Sequence, residues 1–314
     1  MMGPSHAACG AAAWVALTGS YTVHLADTSL PVGLSLMSVG DPGVITGALI
    51  CAGAALLPDM DHPGGTVARS LPPLSRWLAR GVSRVGGGHR HGTHSLVGLL
   101  VVTGLAVLSQ RVSVPVGDAL RWSTARDAAA AGLPAGTGSS RATQLAGAAG
   151  LTGGGGPPGS AALAGDAASS LPGQVWPLAA VLSVLLIACA VKVLAFVPDR
   201  LSHANWVVGI LLGAFVATHP PEDPRWFVVA VSLGWAVHML GDLLTTQGIH
   251  LLWPLRPRLP LPTGLYRRRA FVRLPLLGNA GSGREILLLV PVTLYALAGL
   301  FCAAISWAGL TVSV

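Results

Sequence analysis

The side chains able to do chemistry fall into a few short clusters in a chain of 314 residues. Pro58-Asp59-Met60-Asp61-His62-Pro63 is the first, and His89-Arg90-His91-Gly92-Thr93-His94 is the second. His238 and Asp242 make a third, Glu285 follows a Gly281-Ser282-Gly283 turn, and His6 stands near the start. These donors are imidazoles and carboxylates without thiolates, a set that suits zinc first and manganese or iron second, and that differs from a structural Cys-type zinc site. His238 and Asp242 are four apart, so on a helix both leave the same face one turn apart and can grip one ion or two adjacent ones. Asp59 and Asp61 are two apart in a proline-flanked turn, where carboxylates can bridge ions. Two cations about 3.5 to 4 Å apart, sharing an acidified water, are a common device for attacking phosphoesters. His24, His203, His219 and His250 have no such neighbours and read as loop or interfacial residues.

Elements that position these residues must be built from an unusual composition. Hydrophobic residues make up 52% of the chain and charged ones 10%, with mean hydropathy +0.65, whereas soluble domains carry about 25% charged residues. That excludes an ordinary soluble domain, and it excludes wholesale disorder, which needs low hydrophobicity and high charge. The four cysteines, Cys9, Cys51, Cys189 and Cys302, are scattered through apolar stretches without metal-binding spacing and read as small buried residues. A pI near 10.1 invites a nucleic-acid reading. Most of the arginines, however, lie in loops beside apolar segments, where membrane orientation explains them and no nucleic-acid partner is needed.

Apolar runs bounded by breakers predict an all-α polytopic membrane protein of about seven transmembrane or re-entrant helices. They cover approximately Ala7 to Leu25, Pro42 to Leu57, Thr93 to Ser109, Trp176 to Val197, Ala204 to Thr218, Trp226 to Leu244, and Glu285 to Leu310. The second and fifth are short enough to be tilted or re-entrant. Lys192 would snorkel to the interface. Residues 110–175, rich in Gly, Ala, Ser and Pro, predict a disordered insertion between an N-terminal set of helices (1–109) and a C-terminal set (176–314). The first residues lack a basic region, so no cleaved leader is expected. Following the chain back and forth across the membrane puts His6, Asp59, Asp61, His89, His94, Asp242 and Glu285 on one face. Nothing in the composition requires that coincidence, and it argues for one site. The loops on that face carry 13 of the 18 arginines, which places the face in the cytoplasm.

At these residues the chain resembles the bacterial inner-membrane family typified by YdjM, a group classed as metal-dependent hydrolases. The resemblance runs through His6, Leu56-Leu57-Pro58-Asp59-Met60-Asp61-His62-Pro63, Gly88-His89-Arg90 and Thr93-His94-Ser95. It continues through His238, Asp242, Leu244-Thr245, Gly248, Leu251-Leu252-Trp253-Pro254, Arg273-Leu274-Pro275 and Gly281-Ser282-Gly283-Arg284-Glu285. His91 stands where the family tends to have glycine. A more distant similarity links the family to zinc-dependent phospholipase C and related nucleases, which hold three zinc ions with His, Asp and Glu. The resemblance therefore implies two or three zinc ions, with His6, Asp59, Asp61, His62, His89, His94, His238 and Asp242 as ligands. It also implies Asp61 as a catalytic group, and Glu285 as the general base or a further ligand.

The expected function is hydrolysis of a phosphoester in a phospholipid or lipid-linked substrate at the plasma membrane, because a site at helix ends lies at headgroup depth and arginine-rich loops attract anionic headgroups. The alternative is a metal-binding membrane protein without catalysis, such as a divalent-ion transporter or an assembly factor. A transporter needs polar residues through the middle of several spans, and this sequence has few.

Overall fold

Glycine and alanine crowd the faces on which the central helices meet, and this lets their backbones approach closely. The computed structural model describes residues 1–25, 28–62, 65, 68, 74–111, 114–115, 174–175, 177–195, 202–218, 221–257, 260, 262, 264–267 and 270–310. The first helix, α1 (Gly3–Thr18), opens with Pro4 in its first turn and stops at Gly19, consistent with proline's preset φ and missing N–H. It packs on α2 (Gly40–Ala54). A side chain at Gly53 of α2 would run into the Leu186 carbonyl, and one at Gly234 would run into the Cys51 carbonyl. These contacts fix α2 between α5 (Pro177–Val193) and α7 (Trp226–Leu243). Trp14, Ile50, Ile187 and Phe227 fill the core between them, each fully buried.

Around this centre, α6 (Ser202–Thr218) lies on α5. α4 (Leu96–Arg111) packs on α7, and α8 (Gly283–Trp307) lies on α1 and α2. Among the described residues, three segments are long and apolar enough to cross a membrane: Gly40–Asp61, Trp226–Leu243 and Gly283–Trp307. The first is 72% buried and the last only 17%, so α2 is the hub and α8 offers its apolar face to lipid. Helices α1, α4, α5 and α6, at 16 or 17 residues, occupy predicted segments but fall short of that length.

Two expectations change in detail. The first predicted segment, Ala7 to Leu25, is not one helix: after Gly19 the chain turns into strand β1 (Tyr21–Leu25), paired antiparallel with β2 (Thr28–Val32). Its aromatic and β-branched residues favour that pleated arrangement. The arginine-rich stretch before His89 is likewise more than a loop, because it contains helix α3 (Leu74–Val85). Hydropathy missed it because Arg76, Arg80 and Arg84, four apart, break the apolar run while sharing one helical face.

Residues 1–112 and 176–314 form one compact unit, and Ser113–Val175 a second. Of the second unit the described part is a pairing of β3 (Val114–Pro115) with β4 (Gln174–Val175). The predicted disorder of the insertion lies outside the described residues. A last antiparallel pair, β5 (Tyr266–Arg267) with β6 (Phe271–Val272), folds the arginine-rich segment before α8, and Ile249 bridges to Val272. All four cysteines are free.

Candidate metal centre

Pro58 follows α2 closely enough to force a new start, and Pro58–Asp61 form one 3-10 turn that aims Asp59 and Asp61 in different directions. Asp61 is buried, with each oxygen held by a different partner. His89 Nδ1 lies 2.7 Å from Oδ1, and the Thr93 hydroxyl donates to Oδ2 at 2.6 Å. Since the one Thr93 proton goes to Asp61, His94 Nδ1, 2.9 Å from Thr93 Oγ1, must be the donor in that contact. On α7, His238 Nδ1 donates to the Ala55 carbonyl at 2.7 Å. Each ring is thereby fixed with its proton on Nδ1 and its lone pair on Nε2, the usual preparation of a metal ligand.

The prepared nitrogens converge. His94 Nε2 and His238 Nε2 face each other at 3.0 Å, and two lone pairs so close repel unless a cation lies between them. Asp59 Oδ1 is 3.5 Å from the first and 3.7 Å from the second. Asp242 Oδ2 is 3.6 Å and 3.9 Å from the same two atoms. Donors about 2.0 to 2.1 Å from a tetrahedral ion stand ~3.3 Å from one another, so the two imidazoles with either carboxylate are spaced to share one ion. Among the described residues, three overlapping groups, His6-Asp59-His238, Asp59-His89-His94 and His94-His238-Asp242, each keep one donor atom per residue within 4.8 Å of the others and could hold a metal ion.

Two further features fit a cation. His6, on α1, stacks on His238 with ring centroids 3.7 Å apart. Both its ring nitrogens are buried without a hydrogen bond, although Nε2 lies 3.3 Å from Asp242 Oδ1; buried polar atoms are seldom left so. Gly241 makes room for the His6 ring, which would lie 3.1 Å from a side chain added there. The amino group of Met1 lies 2.5 Å from Asp242 Oδ1.

The site is closed toward the bundle and open on one rim. His6, His94, His238 and Asp242 are at most 1% exposed, whereas the side chains of Asp59 and His89 are 33% and 36% exposed. His62 lies on that rim with its ring edge-on to His89, centroids 5.2 Å apart. Burial alone would depress the pKa of His89, but the hydrogen bond and charge of Asp61 outweigh it and raise the group above its ordinary value.

The eight predicted ligands thus meet at one place, with Asp61 and His62 outside the three donor groups. Glu285 is also outside them. Its carboxylate accepts the backbone N–H groups of Met2 and Gly281, both at 2.8 Å, at the start of α8, where Ser282 caps the helix. Sequence reasoning missed Arg90 and Thr93 as parts of the site. Arg90 Nη2 is 3.1 Å from Asp242 Oδ2, and its backbone φ of 65° turns the loop so that it points inward. The available signal was position: each directly adjoins a histidine of the cluster. His91 and His250 pack on each other and on Phe271 beside the site.

No curated protein and no solved structure matches the chain. A family profile described as YdjM inner membrane protein does match, over residues 1–140 and 170–308. That span includes every donor named above. The chain belongs to the YdjM inner membrane protein family.

Proposed function

We propose that this protein is a membrane-embedded metal-dependent hydrolase that cleaves a phosphoester of a phospholipid or lipid-linked substrate. The observation that carries the reading is the pair of Nε2 atoms of His94 and His238, both stripped of protons by their Nδ1 partners and set 3.0 Å apart beside two carboxylates. Zinc suits this nitrogen and oxygen set best. It would be held by His94, His238, Asp59 and Asp242, with His6 backing them, and would supply Lewis-acid charge to a phosphoryl oxygen. Asp59 and His89 form the rim through which a substrate arrives. His89 holds and moves a proton at Nε2, oriented through Nδ1 by Asp61. Arg90 keeps Asp242 in place and adds positive charge behind it.

A specific observation favours the second reading, a metal-binding membrane protein without catalysis. His94, His238, Asp59 and Asp242 offer four protein donors, enough to fill a tetrahedral shell and leave no position for water, as structural sites do. Metal content and turnover of the purified protein separate the two. Hydrolysis of phosphatidic acid, phosphatidylglycerol or another lipid phosphate that disappears with chelator and returns with zinc supports the hydrolase. One tightly held equivalent of metal and no turnover on any phosphoester overturns it. In His89→Ala, metal retained at the wild-type level with turnover reduced about 10²-fold or more is the result expected of a proton-moving residue.

A further inference from the structure

Beside the metal centre, α3, α4, α5 and α7 enclose a groove of about 910 Å³. Its walls are apolar almost throughout: Val101 and Leu105 of α4, Leu182 of α5, Phe227 and Val231 of α7. One end reaches the site itself. Met60, between the two aspartates, and Thr93, beside His94, both line it, and Trp235 closes that end by donating its indole N–H to the Thr93 carbonyl at 2.9 Å. Along α4 the lining runs from Val97 to Leu108, about 17 Å at 1.5 Å per residue. That is close to half of the ~30 Å hydrocarbon thickness of a bilayer, the depth that the tails of one leaflet occupy.

The wall at the site end is α3, whose Trp77, Gly81, Val82 and Val85 face the groove. Arg76, Arg80 and Arg84 occupy the opposite side of the same helix and are exposed. Apolar residues on one side and arginines on the other are the pattern of a helix lying in the interface, where the cations meet anionic headgroups. The apolar groove thus opens directly onto the metal donors, and the arginine stripe lies on the outer side of the helix that walls that end.

We infer that this groove is the tail-binding half of the active site and takes the hydrocarbon chain of a membrane glycerophospholipid whose phosphate lies against the His/Asp cluster. The inference rests on the lipid phosphoester reading above and adds the place and class of the substrate's apolar part. Specificity then has two sources: the groove demands a tail, and the arginines and donor cluster demand a phosphate.

The test uses the full-length protein in lipid nanodiscs with a phosphatidic acid probe bearing a photoactivated diazirine in its acyl chain. Labelling is expected at Val101, Leu105 and Leu182. Unlabelled phosphatidic acid should compete, and diacylglycerol with the same tails should not. Gly81→Phe fills the groove, because a side chain started at Gly81 meets nothing within 4 Å, and should lower that labelling about ten-fold with bound metal unchanged. Gly104→Phe adds the same bulk on α4, also with nothing within 4 Å but off the groove lining, and should leave labelling intact. Equal competition by diacylglycerol, or labelling indifferent to Gly81→Phe, overturns the inference by making the groove ordinary lipid contact. Failure of the hydrolase reading looks different: groove labelling and phosphate-dependent competition persist while no product forms.

Discussion

Asp61 illustrates how one carboxylate can prepare two imidazoles at once, His89 directly and His94 through the Thr93 hydroxyl. Removing that relay while leaving every donor in place should weaken metal binding. Thr93→Val, titrated with zinc against a competing indicator, should lose about ten-fold in affinity, the lower end of what such outer partners contribute. Deleting donors is harsher: Asp59→Ala, His94→Ala and Asp242→Ala should each reduce bound metal, whereas His250→Ala, whose Nε2 faces the Leu255 carbonyl, should keep it. Equal metal in all four would remove the site. His89 adds a pH dependence to the metal-free protein. Its folded-state pKa is raised by Asp61, so the stability of that pair is fully present below the ordinary histidine range and is lost as pH rises through the folded value. Chemical denaturation of metal-free wild type across that window should show the decline, and Asp61→Asn should flatten it. The donors were legible in the sequence because an ionisable residue at the edge of an apolar helix is expensive. Arg90 was not, since in a chain whose positive charge is nearly all arginine one inward-turned side chain looks like any loop cation.

At the scale of elements, Glu285 acts where α8 begins. With both oxygens taken by backbone N–H groups, it ties the first residues to that helix and its charge suits the helix N-terminus. Glu285→Gln retains one acceptor and loses the other. The variant should keep its metal and lose about 1 to 3 kcal/mol of stability, the cost of a buried donor left unpaired, read as a lower melting temperature. Turnover reduced about 10²-fold at unchanged stability would instead give Glu285 the role of general base. Long apolar helices such as α7 and α8 could be found from hydropathy alone, because length and composition suffice. Helix α3 and the β1–β2 hairpin could not: in the first three arginines interrupt the apolar residues, and the second continues the apolar run of α1 past Gly19 without a change in polarity. Only pairing and packing distinguish those outcomes.

For the whole molecule, the chain's place in an inner membrane family leaves its orientation to be measured. The expectation from the arginine bias is a cytoplasmic donor cluster. In intact cells, a cysteine at Ser75 should be shielded from an impermeant thiol reagent and one at Ser139 should react; the reverse pattern would invert the protein. Metal should also bind the bundle together, because its donors come from α1, the turn after α2, the loop before α4, and α7. Chelation should therefore lower the melting temperature of the wild type and change that of Asp242→Ala little. The convergence of these places was foreseeable from parity, since an even number of crossings returns a chain to the same face. What parity does not supply is depth or neighbourhood. It could not tell that small residues at Gly53 and Gly234 bring three backbones together, nor that His6 would lie flat on His238.

The distribution of donors along the chain also sets an order of events during synthesis. His6, Asp59, His89 and His94 leave the ribosome first, while His238 and Asp242 arrive only with α7. A nascent chain that stops short of α7 holds imidazoles and carboxylates at the membrane edge, with His94 lacking only its His238 and Asp242 neighbours. Two of the three donor groups are thus completed only when α7 inserts, so a chain with a misplaced α7 should bind less metal and stay exposed to the proteases that clear unassembled membrane proteins.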